Sequence, residues 1–474
     1  MTMLTLRAAA ALIPGATFSG VEDVDIDRIV TDSRGIQTGD LFVAIKGDRF
    51  DGHDFVDQVA KSGVAAALVS RDPSNAGAWP LPVIKVKDTR IGLGALAHGW
   101  RKRFTMPLVA VTGSNGKTTV KEMIASIFAA AVGAEARLAT AGNFNNDIGL
   151  PLTLFRLNEA HELAVVELGM NHPGETEVLG KIAAPTISVV NNAQREHQEF
   201  MATVEAVALE HASVIHALGE TGTAVFPADD AYASIWRVAA TGNPIMDFAL
   251  TDDASKAAVT GTLKGTTVHM RTPQGEIDIA LNVLGEHNAR NALAVASAAL
   301  AAAVSLEDIK RGLEVFQPVK GRLQVKRAIV AALAGATVID DTYNSNPDSM
   351  RAAIDVLVAH ASPRVLIMGD MGEVGDQGPA FHREVGAYAA ERGIDALFAL
   401  GDASCDSVAA FNAAGKPGAA HFSDVAALSA ALETAGFGSK ATYLAKGSRF
   451  MKMERVVDAL TSPQPATGEK PAAY

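Results

Sequence analysis

The apolar run Leu108 to Val111 passes directly into Thr112-Gly-Ser-Asn-Gly-Lys-Thr-Thr119, and few segments restrict a fold so much. A strand, a glycine-rich turn and a helix in that order leave backbone N–H groups and a helix N-terminus aimed at one point, which makes an anion site. A nucleoside triphosphate is the expected ligand. Lys117 would reach the β- and γ-phosphates and the Thr118 hydroxyl a Mg²⁺, with Gly113, Ser114, Asn115, Gly116 and Thr119 completing the cradle. The commoner form of this loop has an earlier glycine where Val111 stands, so the segment is a shorter variant. Alone, the loop names a nucleotide and no reaction.

Length and composition limit the rest. The 474 residues exceed what one hydrophobic core supports and suggest roughly three domains. A hydrophobic content of 48% with 20% charged residues is that of an ordinary globular chain. The formal charge of −12 argues against nucleic acid as a partner, because phosphate-backbone binding needs clustered Lys and Arg. A single cysteine, Cys405, excludes an internal disulfide framework and fits a reducing cytoplasm. No segment offers the roughly 18 consecutive strongly apolar residues of a membrane span.

Apolar runs alternate with helical patterns along most of the chain. After a small α/β unit come Leu108–Val111, Leu163–Glu167, Ile187–Val190 and Ala224–Pro227, then, beyond Gly321-Arg-Leu, Ala336–Asp340, Arg364–Met368, Ala396–Leu400 and Thr442–Ala445. This pattern predicts an α/β fold of three domains: a small N-terminal unit (1–106), a central phosphate-loop domain with a mainly parallel sheet (107–318) and a Rossmann-like C-terminal domain (319–460). The Pro-containing tail, 461–474, reads as disordered. Ligands of parallel sheets gather at the carboxyl ends of strands, so the residues there matter most.

Glu167 ends one such strand and suits a Mg²⁺ ligand, or is a solvated strand-end acid. His197 closes the polar turn after Val190 and could serve a metal or a phosphate, although a lone histidine is commonly structural. The amides of Asn143, Asn145 and Asn146 could grip polar groups beside the loop or simply form a turn. Asn288 opens an alanine-rich helix, either as a helix-start residue or as a reader of the adenine edge. Asp340 and Asp341 end a C-terminal strand, where acids commonly accept from ribose hydroxyls.

Together these strings resemble the Mur ligases of peptidoglycan synthesis: Thr-Gly-x-Asn-Gly-Lys-Thr, a strand-end Glu, a downstream His, Gly285-x-His-Asn-x-x-Asn291, Gly321-Arg-Leu and an Asp-bearing C-terminal strand. Thr31-Asp-Ser-Arg34, Asp51-Gly-His-Asp-Phe55, Glu167-x-Gly-Met-Asn-His172, Asp340-Asp-x-Tyr-Asn-x-Asn-Pro347 and Lys446-Gly-Ser-Arg449 resemble most the members that join D-alanyl-D-alanine to UDP-MurNAc-tripeptide. The resemblance implies that ATP, with Mg²⁺ at two sites, activates the tripeptide carboxylate as an acyl phosphate, which the dipeptide amine then attacks. It places Lys117, Glu167, His197 and Arg322 in catalysis and Thr118, Glu167 and His197 at metal. Asn288, Asp341 and Arg322 go to the adenine, ribose and γ-phosphate. Ser33, Arg34, Asp51 and His53 go to the UDP-sugar peptide, and Lys446, Ser448 and Arg449 near the dipeptide, with Asn143, Asn145, Asn146, Asn344 and Asn346 lining the substrate path. Many relatives carry a carbamylated lysine downstream of the histidine. This chain has no lysine between Lys181 and Lys256, and His211 stands at that spacing with Glu210 beside it. Glu210 is therefore expected to give the second metal its carboxylate directly, or to be an ordinary helix glutamate. A cytoplasmic monomer with mobile outer domains is expected, since cleft closure must admit three substrates. Folylpolyglutamate synthase or another Mur ligase is the enzymatic alternative, and a nucleotide-switched binding protein the non-enzymatic one.

Overall fold

The protein is described by a computed structural model covering residues 2–19, 23–73, 77–415 and 418–462. The tail expected to be disordered is described only to Ser462, where a helix, Glu454–Thr461, has just ended; 463–474 lie outside the described residues.

The central sheet is all parallel, with the strands Thr223–Val225, Ile187–Val190, Leu108–Thr112, Leu163–Glu167 and Arg137–Ala139 in that spatial order. Its middle strands are buried on both faces, which explains why they read as unbroken Val, Leu, Ile and Ala runs rather than alternating ones. From Leu108–Thr112 the chain crosses to one edge and later returns to the other side, so a crevice opens at the carboxyl end of that strand. Helix Lys117–Val132 leaves from the same point.

The N-terminal domain holds a five-stranded sheet ordered Thr17–Ser19, Val83–Lys85, Ala66–Val69, Asp40–Val43, Arg28–Val30, antiparallel only at its first pair. The C-terminal domain holds six strands ordered Gln324–Arg327, Thr337–Asp341, Thr442–Lys446, Arg364–Gly369, Ala396–Leu400, Ala419–Phe422, again with one antiparallel edge. Three domains of α/β class are thus present. A second central sheet, Phe248–Leu250, Val259–Lys264, Thr267–Thr272 and Gly275–Ala280, has no counterpart in the sequence-based expectation. Its strands carry polar residues on a partly exposed face, so no continuous apolar run announces them.

Candidate nucleotide and ligation site

The crevice is a cavity of about 1400 Å³ lined by residues of the central and C-terminal domains, with Asp88, Arg90 and Ile91 at its N-terminal rim. Its floor is the phosphate loop. Gly113 and Gly116 have φ of 135° and 83°, and a Cβ on Gly116 would lie 2.7 Å from Asn191 Nδ2 and 2.9 Å from Asn291 Oδ1, so glycine is required there. The amides that press on the loop also hold it: Asn191 Nδ2 donates to Asn115 O at 2.8 Å, and the Asn115 N–H donates to Asn192 Oδ1 at 2.9 Å. Lys117 begins the helix, and its Nζ donates to Gly113 O (2.5 Å), Ser114 O (3.2 Å) and Glu196 Oε2 (3.1 Å).

Glu167 stands at the neighbouring strand end and is buried. Its Oε1 accepts from Asn145 Nδ2 at 2.8 Å, while Oε2 has no hydrogen-bond partner among the described residues. A buried carboxylate oxygen so placed is costly unless a cation or its water meets it, so this acid fits Mg²⁺. No three His, Cys, Asp or Glu side chains converge as ligands among the described residues. Mg²⁺ takes one or two carboxylates and completes its shell with phosphate and water. His197 lies in the loop after Val190 with φ 47°, its Nδ1 2.8 Å from the Glu373 carboxylate of the C-terminal domain.

From that domain, Arg322 donates to Thr118 Oγ1 at 2.8 Å and lies 4.2 Å from the Tyr343 ring centroid. Lys446 Nζ is buried and bonds Asp341 Oδ2 (2.7 Å) and Asn344 O (2.8 Å), a pairing between neighbouring strands. Asn346 caps helix Pro347–Val358 and donates to Asn115 Oδ1 at 3.0 Å across the domain boundary. Asn143, Asn145, Asn146, Asn344 and Arg449 also line the cavity.

Several expected site residues are used otherwise. Glu210 does not line the cavity; its two carboxylate oxygens accept from the backbone N–H groups of Gly174 and Thr176 at 2.8 Å each, capping helix Glu175–Ala183, so the direct metal carboxylate expected of it does not fit. Asn288 does line it, but its Nδ2 donates to Leu284 O and its Oδ1 accepts from Asn291, so reading an adenine edge would break both bonds. Ser448 is buried off the cavity, between Ser345 O and the Gly372 N–H. His53 is buried, with Nδ1 2.5 Å from Asp51 and Nε2 accepting from Ser70 N, so this pair braces a turn and is not a free substrate contact. Ser33 and Arg34 lie on the N-terminal domain outside the cavity lining, Arg34 paired with Asp32.

Sequence reasoning passed over Glu196. It is buried behind Lys117, and His211 Nε2 lies 3.0 Å from its Oε1. Burial alone would raise this carboxyl, but the Lys117 charge and the His211 hydrogen bond outweigh it and hold the group down at about 2. The signal was its place in a polar turn directly after a buried strand.

Fold and site together define a phosphate-loop α/β protein that handles a nucleotide between two domains. Family models narrow this: Mur ligase family, catalytic domain over residues 25–101; Mur ligase middle domain over 111–299; and Mur ligase, glutamate ligase domain over 321–449. The chain is 40% identical to the UDP-N-acetylmuramoyl-tripeptide–D-alanyl-D-alanine ligase of Haemophilus influenzae, covering 95% of this chain and 97% of that one. It is 38% identical to the protein of that name in Escherichia coli, over 92% and 94% of the two chains. A crystal structure of MurF from Acinetobacter baumannii superposes with a TM-score of 0.85 at 34% identity, over 96% of this chain and 97% of that one. The chain belongs to the Mur ligase family.

Proposed function

We propose that this ATP-dependent ligase joins D-alanyl-D-alanine to UDP-N-acetylmuramoyl-tripeptide, the reaction for which its relatives are named. The observation that carries the reading is convergence: Lys117 and Glu167 of the central domain meet Arg322, Asp341 and Lys446 of the C-terminal domain around one cavity. A carboxylate is a poor acylating agent, and transfer of the γ-phosphoryl group makes it an acyl phosphate. The dipeptide amine then adds to its carbonyl carbon and phosphate departs. Most of such catalysis is charge neutralisation and positioning.

Lys117 and Arg322 supply the positive charge. The Arg322 guanidinium, stacked on Tyr343 and already touching Thr118, is the C-terminal domain's contribution beside the phosphate loop. Mg²⁺ would be held by Thr118, Glu167 and His197 and would spread the charge of the phosphates. Lys446 and Arg449 are cations for the dipeptide carboxylate, Asp341 an acceptor for ribose, and the Asn143 to Asn146 turn a grip for the acceptor peptide. Ser33 and Arg34 belong to the UDP-binding face. We divide the chain at 106/107 and 318/319 and place it in the cytoplasm as a monomer; no helix among the described residues is long and apolar enough to cross a membrane.

Incubation with ATP, Mg²⁺, UDP-MurNAc-tripeptide and D-Ala-D-Ala, read by mass spectrometry, should give the pentapeptide and equimolar ADP. Failure with this dipeptide but turnover with a single amino acid would overturn the assignment. Lys117→Met should lower kcat at least about a hundredfold, the scale for losing one preorganised electrostatic donor.

A further inference from the structure

Among the described residues the Lys117 ammonium makes three hydrogen bonds, and its one charged partner is Glu196. A phosphate oxygen entering the loop therefore meets a lysine whose counter-ion is already in place. That counter-ion is not free to swing aside. Oε1 of Glu196 lies 3.0 Å from His211 Nε2, and His211 Nδ1 lies 3.0 Å from Thr112 Oγ1, on the very strand that feeds the phosphate loop. His211 is fully buried and Glu196 nearly so, which makes Thr112, His211, Glu196 and Lys117 a fixed relay behind the loop. The other charged or titratable groups facing Glu196 are His197, with Nε2 3.9 Å from Oε2, and, beyond it, Glu373 of the C-terminal domain.

We propose that Glu196 is a positioning residue that competes with the incoming phosphates for the Lys117 ammonium, and so makes nucleotide binding depend on a cation arriving with it. Once Nζ turns toward phosphate, a buried carboxylate is left beside a polyanion in a poorly screened site. Mg²⁺ on the nucleotide removes that repulsion; without it, the nucleotide must displace a charged hydrogen bond and gain a repulsive neighbour. The acid thus discriminates metal-bound from metal-free nucleotide at the point of entry. The proposal rests on the loop being the ATP site.

The test is calorimetric binding of a non-hydrolysable ATP analogue to the full chain, with Mg²⁺ and with EDTA, for wild type and Glu196→Gln. The glutamine keeps the shape and removes the charge. Metal-free analogue should bind Glu196→Gln about tenfold more tightly than wild type, on the scale of one charge contact, while Mg²⁺-analogue affinity changes by less than about threefold, so the advantage conferred by Mg²⁺ shrinks. Glu196→Asp, which withdraws the carboxylate from Lys117, should shift the same ratio in the same direction and serves if the glutamine variant does not fold. Equal weakening under both conditions would show a purely structural acid and overturn the proposal. An unchanged ratio would overturn it too. No binding by wild type even with Mg²⁺ would overturn the ATP reading itself.

Discussion

The central domain meets its two neighbours by opposite means. Toward the N-terminal domain it shares one apolar core: Leu6, Leu93, Leu96, Ala97 and Trp100 pack in the same cluster as Leu154, Leu179 and Ile182. Helix Thr89–Arg101 lies so close to helix Glu175–Ala183 that a Cβ on Gly94 would come within 2.8 Å of Ile182 Cδ1. Toward the C-terminal domain the contact is polar. Arg195 reaches Asp348 at 2.6 Å and Glu384 at 2.7 Å, Asn346 reaches Asn115, and Arg322 reaches Thr118. Among the described residues the main C-terminal core clusters are built from residues beyond 320, with only Leu284 of the central domain packed against them. An apolar seam loses burial free energy as soon as it opens, whereas each polar contact can be exchanged for one with water. Of the two outer domains expected to move, the C-terminal one is held by the contacts that water can replace.

The largest effect should come from cutting the apolar seam. Trp100 is 8% exposed, donates to Leu157 O at 3.2 Å and meets Phe104 edge-on. Trp100→Ala should destabilise the N-terminal and central domains by about 3 kcal/mol or more, in one urea transition common to both. Separate transitions, or a change below about 1 kcal/mol, would break the comparison.

A smaller and different response is expected at Arg195. It is held between two carboxylates and 5.2 Å from the Phe381 ring centroid. Arg195→Ala should disfavour the docked C-terminal domain by about 2 kcal/mol, the scale of hydrogen bonds to charged groups. Small-angle scattering should then show a larger radius of gyration, with the urea midpoint of the apolar seam unmoved.

Acid should act on the same contact. Glu384 is held below its ordinary value of 4.5 first by its hydrogen bond to Arg195, and Glu373 by its hydrogen bond to His197. A carboxylate depressed on docking stabilises the docked state fully above its ordinary pKa and loses that contribution as pH falls through the lower, docked value. Scattering profiles should therefore be constant from neutral pH to about 5 and expand below about 4, before the seam unfolds. Expansion that begins above pH 6 would show that these carboxylates do not set the contact.

The same contrast decides what could be read from the sequence. Leu163–Glu167 and Ile187–Val190 were legible because burial on both faces writes a continuous apolar run. Thr267–Thr272 was not, because only alternate positions are buried and most of its side chains are polar. The phosphate loop was legible since neighbouring amides leave no room for a Cβ at Gly116. By contrast, the Lys446–Asp341 pair joins residues 105 apart, and Glu196 takes its role from a lysine and a histidine on two other elements. Motif spacing marks where backbone meets ligand; it does not say which side chains neutralise one another before the ligand arrives.

The smallest effect separates a cap from a metal ligand. Glu210 was expected at the second metal because the family resemblance implies a lysine at the neighbouring position, yet its carboxylate faces the start of helix Glu175–Ala183. Two backbone N–H groups at a helix N-terminus, where the dipole also favours negative charge, account for both oxygens. Glu210→Gln keeps one acceptor oxygen and should cost about 1 kcal/mol of stability. Since the helix start, not the cavity, receives that loss, kcat and the Mg²⁺ concentration for half-maximal activity should stay within about twofold of wild type. A tenfold rise in the Mg²⁺ requirement would return Glu210 to the metal and require the loop at Gly174 to turn its amides away.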